Sequence, residues 1–122
     1  MSKRLTIETH FTEAELSCRC GCGKMVEEDL LVRLEALRRI VNRPLIITSG
    51  ARCEEYNRKI GGKPKSWHLH GLAVDVACTN TWDRFALIHA AQQLGFSGIG
   101  IAENFIHLDL RPVDVGRVWL YS

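Results

Sequence analysis

The sequence predicts one α+β domain, residues 1–122, with a small, mostly antiparallel sheet and helices packed on one face of it. Two observations lead to this prediction. Amphipathic helical stripes occur early and in the middle of the chain, whereas short strands with alternating apolar residues follow one another near its end. This order of elements is typical of an α+β domain.

The helices are predicted from caps and from the spacing of apolar residues. Residues 12–15 have the pattern of a capping box, which predicts the start of a short helix. Leucines recur at helical spacing over residues 27–41, with acidic residues in the first turn and arginines in the last, which predicts a long helix. A short helix over 53–60 and a longer one over 82–94 are each closed by glycine.

The strands are predicted at residues 45–48, 72–77, 99–102, 105–110 and 117–121. In the strands at 72–77 and 105–110, apolar residues at alternate positions indicate a side that faces the core. The opposite sides carry Asp75 on one strand, and His107 and Asp109 on the other. These groups either lie in solvent, as polar residues of a sheet face usually do, or they form a chemical site.

Composition and charge exclude several classes of protein. Hydrophobic residues make up 46% of the chain, which is typical of a globular domain, and the formal net charge is only +2, which does not indicate a nucleic-acid-binding protein. No apolar run approaches the length of a membrane span, and residues 1–8 lack the apolar stretch of a secretory signal. We therefore expect a monomer made in the cytoplasm, without membrane insertion.

A loop rich in histidine favours a chemical site over a solvated sheet face. His68 lies in the segment that leads into the strand of Asp75, and His107 lies on a second strand. Two imidazoles and one carboxylate form a ligand set that leaves a fourth position open for water, which is the arrangement of a catalytic zinc ion. His68, Asp75 and His107 are therefore the candidate metal ligands.

The five cysteines leave three alternatives open. Cys18, Cys20 and Cys22 crowd into one loop, whereas Cys53 and Cys78 lie apart. A cluster of this kind in a cytosolic chain suggests metal or free thiols more than disulfides, but alternate cysteines lack the usual zinc spacing. They can face one ion only through a sharp turn, which the interspersed glycines can provide. A structural metal, disulfides and packed thiols all remain open.

The residues around His68 and His107 resemble those of a known family. The chain contains the motif Ser66-x-His68-x-x-Gly71-x-Ala73-x-Asp75, followed downstream by His107-x-Asp109. This pattern resembles the zinc D-Ala-D-Ala peptidases, which include cell-wall carboxypeptidases and phage endolysins and share the Hedgehog/DD-peptidase fold. The similarity extends to residues 45–53, Asn57 and Gly61–Gly62, and to the opening residues 10–18, so that it covers most of residues 10–112.

The resemblance implies a function and a role for several residues. It implies one Zn²⁺ ion held by His68, Asp75 and His107, and a peptidase that hydrolyses peptidoglycan stem or cross-bridge peptides, either as a carboxypeptidase or as an endopeptidase. The substrate-positioning arginine of the family falls on Arg52, and its motif serine falls on Ser66. The absence of an export signal then suits a phage-derived enzyme that reaches the cell wall after release.

The general base is the point at which this chain departs from the family. Many members carry an acidic residue three positions before the last histidine ligand, where this chain has Asn104. Asp109 and Glu103 are the candidate catalytic residues for the role of general base, and Asp109 is equally suited to orienting a histidine ligand. The departure at Asn104 also motivates an alternative function, a zinc-containing cell-wall-binding module with impaired catalysis.

Other polar and aromatic residues receive structural or undecided predictions. His70 contacts substrate, supports a ligand or lies in solvent, and His10 and His89 are expected to be structural. Trp67 is expected to line a cleft, whereas Trp82 and Trp119 are expected to pack in the interior. Residues 58–65 carry four cations around a glycine pair, and they form either a solvated turn or a surface that attracts an anionic polymer.

Overall fold

The computed structural model describes residues 9–121, so the expected lack of an export signal at residues 1–8 lies outside the described residues. A 3₁₀ helix at Trp67–His70, which was not predicted, precedes the second strand. The helices are α1 (Glu13–Leu16), α2 (Glu28–Val41), α3 (Glu54–Lys59) and α4 (Thr81–Gln93), and the strands are β1 (Ile47–Ser49), β2 (Ala73–Ala77), β3 (Gly98–Ile101), β4 (Phe105–Asp109) and β5 (Arg117–Leu120).

The five strands form one sheet in the order β1-β2-β4-β3-β5. All neighbouring strands are antiparallel except β3 and β5, which are parallel. The predicted α+β class with a mostly antiparallel sheet is therefore confirmed. The register of the central pair places Asp75 of β2 opposite His107 of β4, and Ala73 opposite Asp109.

One face of the sheet packs against α2 and α4 and forms the hydrophobic core. The leucines of the apolar stripe predicted for residues 27–41 are buried, whereas Ile40 of the same stripe is 52% exposed. None of the helices within residues 9–121 is long and apolar enough to cross a membrane. Each fully buried leucine contributes about 1.5 to 3 kcal/mol to folding relative to an exposed one. The core residues include Leu30, Leu34 and Leu37 of α2, Leu87, Ala90 and Ala91 of α4, and Val74, Val76, Ile99, Ile106 and Leu108 of the sheet.

The ends of the elements follow local chemistry. The capping box of α1 is confirmed, because the Thr12 side chain accepts from the Glu15 backbone and the Glu15 carboxylate accepts from the Thr12 backbone. His10 is bonded to the buried Glu35 of α2, with 2.6 Å between Nδ1 and Oε1. His10 thus has the structural place that we expected, at the start of the described chain.

Two details of the sequence prediction are wrong. The strand predicted at 45–48 begins only at Ile47, and Ile46 is 63% exposed because it points away from the core at the sheet edge. Trp82 does not pack in the interior but is 79% exposed. It is nine residues from the buried Ala91, and therefore about 180° around the same helix.

The turn after β1 is packed tightly against the end of α1. The Ala51 N–H donates to the Leu16 carbonyl at 3.0 Å. A Cβ atom on Gly50 would overlap the backbone of Leu16, including that same carbonyl oxygen. The lack of a side chain at Gly50 is therefore what allows the two segments to approach.

We predict that Gly50→Ala lowers the free energy of unfolding by about 1 to 3 kcal/mol, the usual cost of overpacking. Gly116→Ala is the matched control, because the nearest atom to its added Cβ is the Ser97 carbonyl oxygen at an ordinary 3.6 Å. Urea unfolding at a fixed zinc concentration, followed by circular dichroism, measures both variants. Equal stability of the two variants would contradict the close approach at Gly50.

Candidate functional site

Three side chains from three different elements meet on the sheet face opposite the core. His68 Nε2 lies 3.2 Å from Asp75 Oδ1, and His107 Nδ1 lies 3.1 Å from the same oxygen. The two imidazole rings are edge to face, with centroids 5.2 Å apart. All three residues are buried, with 2%, 8% and 5% exposure respectively. The structure thus brings together the three residues that the sequence singled out as metal ligands.

Backbone geometry explains why these side chains converge. Asp75 and His107 are a directly opposed pair of β2 and β4, so that their side chains project from the same side of the sheet. His68 reaches them from the 3₁₀ helix, whose first turn is capped by the Ser66 Oγ accepting from the His68 N–H at 3.2 Å. Gly71, with a left-handed φ of 70°, then turns the chain into β2.

The backbone fixes the tautomer of His68. Its Nδ1 lies 2.7 Å from the carbonyl oxygen of Gly50. Because a carbonyl can only accept a hydrogen bond, Nδ1 must carry the proton and donate it. The lone pair of the neutral ring is then on Nε2, the nitrogen that faces Asp75.

A carboxylate fixes the tautomer of His107 in the same way. Its Nε2 donates to Asp109 Oδ2 at 2.7 Å, which leaves the lone pair on Nδ1, the atom nearest Asp75. Asp109 is held in turn by Arg111, whose Nε and terminal nitrogen donate to its two oxygens at 2.9 and 2.6 Å. Gly98 lies opposite Asp109, and a Cβ there would overlap the carboxylate, so this strand position requires glycine.

The titration behaviour of the group follows from burial and these bonds. Burial opposes ionisation of Asp75, but hydrogen bonds from His107 and His68 outweigh it and hold the pKa of this carboxyl well below its usual range. Burial likewise opposes ionisation of Asp109, and the Arg111 guanidinium keeps its pKa well below the usual range. Burial would lower the pKa of His107, but hydrogen bonds to Asp109 and Asp75 raise it. A proton on Nδ1 is therefore favoured while no cation is bound, and a metal ion would take its place. Both carboxyl groups are therefore anionic at neutral pH.

The donor set fits a divalent cation. With both outer nitrogens donating to acceptors, His68 Nε2, His107 Nδ1 and Asp75 Oδ1 direct three lone pairs at one region, and the ligand atoms of the three residues all lie within 4.8 Å of one another. Zinc binds imidazole nitrogen and carboxylate oxygen at about 2.0 to 2.2 Å, which places its ligand atoms a little over 3 Å apart. Outer hydrogen bonds of this kind are what orient histidine ligands in zinc sites.

A cleft of about 930 Å³ opens over these three residues. Arg52 lies in its wall with its guanidinium held at several points. Its Nε donates to Ser49 Oγ at 3.1 Å, and its terminal nitrogens donate to Asn57 Oδ1 at 3.1 Å and to Asp75 Oδ2 at 3.4 Å. Asn57 is itself buried and bonded to the Lys63 carbonyl at 2.8 Å. The predicted arginine is therefore immobilised beside the metal-ligand group.

The charge of the cleft lining is mainly positive. Lys63 and Lys65, from the cationic segment noted in the sequence, lie at the cleft together with Arg52, Arg111 and Arg117. Asp75 is the one carboxylate among the described residues that line it. The cleft is therefore suited to an anionic ligand.

Aromatic rings form the remaining wall. Trp67 lines the cleft as expected from the sequence. Trp119 is half-buried, with its ring 5.3 Å from the His107 ring and the Arg111 guanidinium 4.8 Å from its centroid. Tyr121 follows on the same side and contacts Trp119 and Phe105. Trp119 thus packs, as predicted, but against the candidate ligand rather than in the core.

The remaining candidate residues lie in different places. Asp109 is fully buried beneath His107, and Glu103 is exposed in the turn between β3 and β4, where it does not line the cleft. Ser66 lines the cleft, whereas His70 is exposed, packs on Trp67 with ring centroids 5.0 Å apart, and does not line it. Arg111 was not among the predicted site residues, although it continues the alternation of His107 and Asp109 along one strand face.

Comparison with known proteins agrees with this geometry. A search of curated proteins finds no match. Residues 9–109 match the sequence model of the family described as Peptidase M15, a span that includes His68, Asp75 and His107. The match covers most of the chain, and it confirms the resemblance to the zinc D-Ala-D-Ala peptidases. The chain therefore belongs to the Peptidase M15 family, and it is a peptidase by family.

Proposed function

We propose that this protein is a zinc-dependent peptidase that hydrolyses stem or cross-bridge peptides of peptidoglycan. The observation that carries the proposal is the convergence of three lone pairs from His68, Asp75 and His107 in the floor of a cationic cleft. Zinc bound there would lower the pKa of a bound water to about 7 and polarise the carbonyl of the scissile bond. Family membership supports the class of reaction.

The outer residues hold the ligands in place before substrate arrives. The Gly50 carbonyl and the Asp109 carboxylate each accept a hydrogen bond from one histidine. Neither ring can therefore rotate without losing a buried hydrogen bond. Arg111 keeps Asp109 anionic and thereby strengthens its bond to His107. We assign Asp109 a positioning role for His107, because its two oxygens are already occupied by His107 and Arg111.

Arg52 is the residue that we assign to substrate binding. A guanidinium has five N–H donors, and three of those of Arg52 are directed at Ser49, Asn57 and Asp75. The remaining donors on its terminal nitrogens are available to a substrate carboxylate or carbonyl in the cleft. Ser66 supports the same wall, because its hydroxyl caps the turn that presents His68.

Peptidoglycan peptides match the charge of the cleft. Their D-glutamate residues and free C-termini carry carboxylates, and the cleft presents Lys63, Lys65 and Arg117 around Arg52. Electrostatic attraction of this kind raises the rate of encounter more than it raises affinity. The aromatic wall of Trp67 and Trp119 offers apolar contact to the alanyl parts of the same peptide.

One observation favours a second candidate function, a zinc-containing module that binds cell-wall peptides without turnover. Among the described residues, Asp75 is the one carboxylate lining the cleft, and it belongs to the candidate ligand set. Glu103 would have to turn inward from an exposed position to receive a proton from water. The two functions share the metal and the ligand, and they differ in whether a bond is broken.

Digestion of purified peptidoglycan distinguishes the two functions. We predict that the wild-type protein releases new peptide fragments, detected by mass spectrometry, and that chelation abolishes and zinc restores their release. His68→Ala should remove activity, whereas His89→Ala, which alters an exposed helical histidine, should retain it. Binding of peptidoglycan without any new fragment would instead establish the binding module.

Paired substitutions of the acidic residues test the assigned roles. We predict that Asp109→Asn weakens zinc affinity about 10- to 100-fold, as measured by competition with a chromophoric chelator, because the outer partner of His107 loses its charge. Glu103→Gln should leave zinc affinity and kcat unchanged. A fall in kcat of about 100-fold or more in Glu103→Gln, with unchanged zinc affinity, would make Glu103 the general base and contradict the prediction for this variant.

Removing the positive charges of Lys63 and Lys65 in the cleft lining should slow the binding of substrate. We predict that Lys63→Gln combined with Lys65→Gln lowers kcat/KM severalfold at low salt through KM, and that the difference shrinks as salt screens the charges. Lys59→Gln, which changes an exposed lysine of α3 outside the cleft lining, is the control. A salt-independent loss, or an equal loss in Lys59→Gln, would show that cleft charge does not attract the substrate.

A further inference from the structure

Four cysteines form a second cluster of metal-ligating side chains, separate from the histidine group. Cys18, Cys20 and Cys22 come from the loop after α1, and Cys53 comes from the residue immediately before α3. The ligand sulfurs of all four lie within 4.8 Å of one another. The sequence analysis considered a metal at the first three and did not include Cys53, which is 31 residues beyond Cys22.

The sulfur–sulfur distances match the edges of a metal tetrathiolate. Cys18 Sγ lies 3.4 Å from Cys20 Sγ and 3.8 Å from Cys53 Sγ, and Cys20 Sγ lies 3.7 Å from Cys53 Sγ. In a tetrahedral site with Zn–S bonds of about 2.3 Å, each edge measures about 3.8 Å. A disulfide would join two sulfurs at about 2.05 Å and separate them from the others. None of these cysteines is in a disulfide.

The loop backbone supplies the turn that alternate cysteines require. Gly21 and Gly23 both have left-handed φ angles, 86° and 90°, which side chains disfavour. The loop is closed by the Cys18 N–H donating to the Lys24 carbonyl at 2.8 Å and by the Gly21 N–H donating to the Cys18 carbonyl at 3.1 Å. Glycines between the cysteines therefore let every second side chain face the same point.

Backbone donors are directed at the sulfurs. The Cys53 N–H points at Cys18 Sγ, and the Tyr56 N–H points at Cys53 Sγ, each at 3.4 Å. A thiolate is a better acceptor for such bonds than a thiol, because it carries the negative charge. Two of the four sulfurs are thus placed to accept backbone hydrogen bonds when they bind a metal ion.

We propose that Cys18, Cys20, Cys22 and Cys53 bind a Zn²⁺ ion as a closed, structural tetrathiolate site. Soft thiolate ligands select zinc over hard cations such as Mg²⁺ and Ca²⁺, and four protein ligands leave no position for a reactive water. On binding, the four thiols release their protons to solvent, and no oxidation or reduction takes place.

This ion would stabilise the segment that serves the histidine site. The loop of Cys18 is joined through Cys53 to the turn that includes Gly50, whose carbonyl fixes His68, and Arg52, which lies in the cleft wall. The Ala51 N–H donating to the Leu16 carbonyl is a direct backbone link between these segments. A metal cross-link here would add a second constraint on this turn.

Zinc counting by native mass spectrometry, on protein purified without added chelator, tests the proposal. We expect one zinc ion that persists in His68→Ala and is lost in Cys20→Ser combined with Cys22→Ser. Cys78→Ser, which removes a buried cysteine outside the cluster, is the control and should retain that ion. The measurement counts only the zinc ion that depends on the cysteines. A histidine site that binds no zinc would therefore not be mistaken for a cysteine site that binds none.

X-ray absorption at the zinc edge of His68→Ala gives the ligand identity without a cysteine variant. Four sulfur neighbours at about 2.3 Å are expected. If His68→Ala does not fold, titration of the wild type with a mercurial reagent should release one zinc ion in step with thiol modification. The proposal is overturned if no zinc is released, if nitrogen or oxygen neighbours dominate, or if the intact mass shows that these thiols have been lost to disulfides.

Discussion

The site depends on a constraint placed on two imidazole rings. In each ring, the proton-bearing nitrogen donates a hydrogen bond to a group that can only accept. That group is the Gly50 carbonyl for His68 and the Asp109 carboxylate for His107. Both lone pairs are thereby directed at Asp75, which is itself held in its anionic form. A metal ion bound there would replace the proton that these three groups otherwise share, so the protein's own hydrogen bonds define where the metal is expected.

The sheet makes this constraint possible by keeping its two faces chemically separate. One face is apolar and packs on α2 and α4, so that β2 and β4 are held in a register with no freedom to slip. The same register then sets Asp75 opposite His107 on the other face. Burying Asp109 beneath that face is tolerable because Arg111 neutralises it and Gly98 leaves room for it. The packing that stabilises the core therefore also sets the geometry of the cleft.

The sequence predicted the fold class and the side chains that meet in the site, because alternation along a strand indicates which residues share a face. It could not state how deep a residue lies on that face, which is why Asp109 was equally plausible as a base and as a partner of His107. The proximity of Cys53 to the cysteine loop depends on the packing of the Gly50 turn against Leu16. No local sequence pattern predicts this packing. Trp82 was misjudged for a related reason, since aromatic character does not indicate whether a ring faces the core, the cleft or solvent.

The most direct test is whether a zinc ion binds beside Asp75 and through which ligand atoms. Anomalous diffraction at the zinc edge, from crystals of the protein purified with zinc, would locate it. The account predicts a peak about 2.0 to 2.2 Å from His68 Nε2, His107 Nδ1 and an oxygen of Asp75, with His68 Nδ1 still bonded to Gly50. A histidine bound through its other nitrogen, or no zinc between these residues, would contradict it.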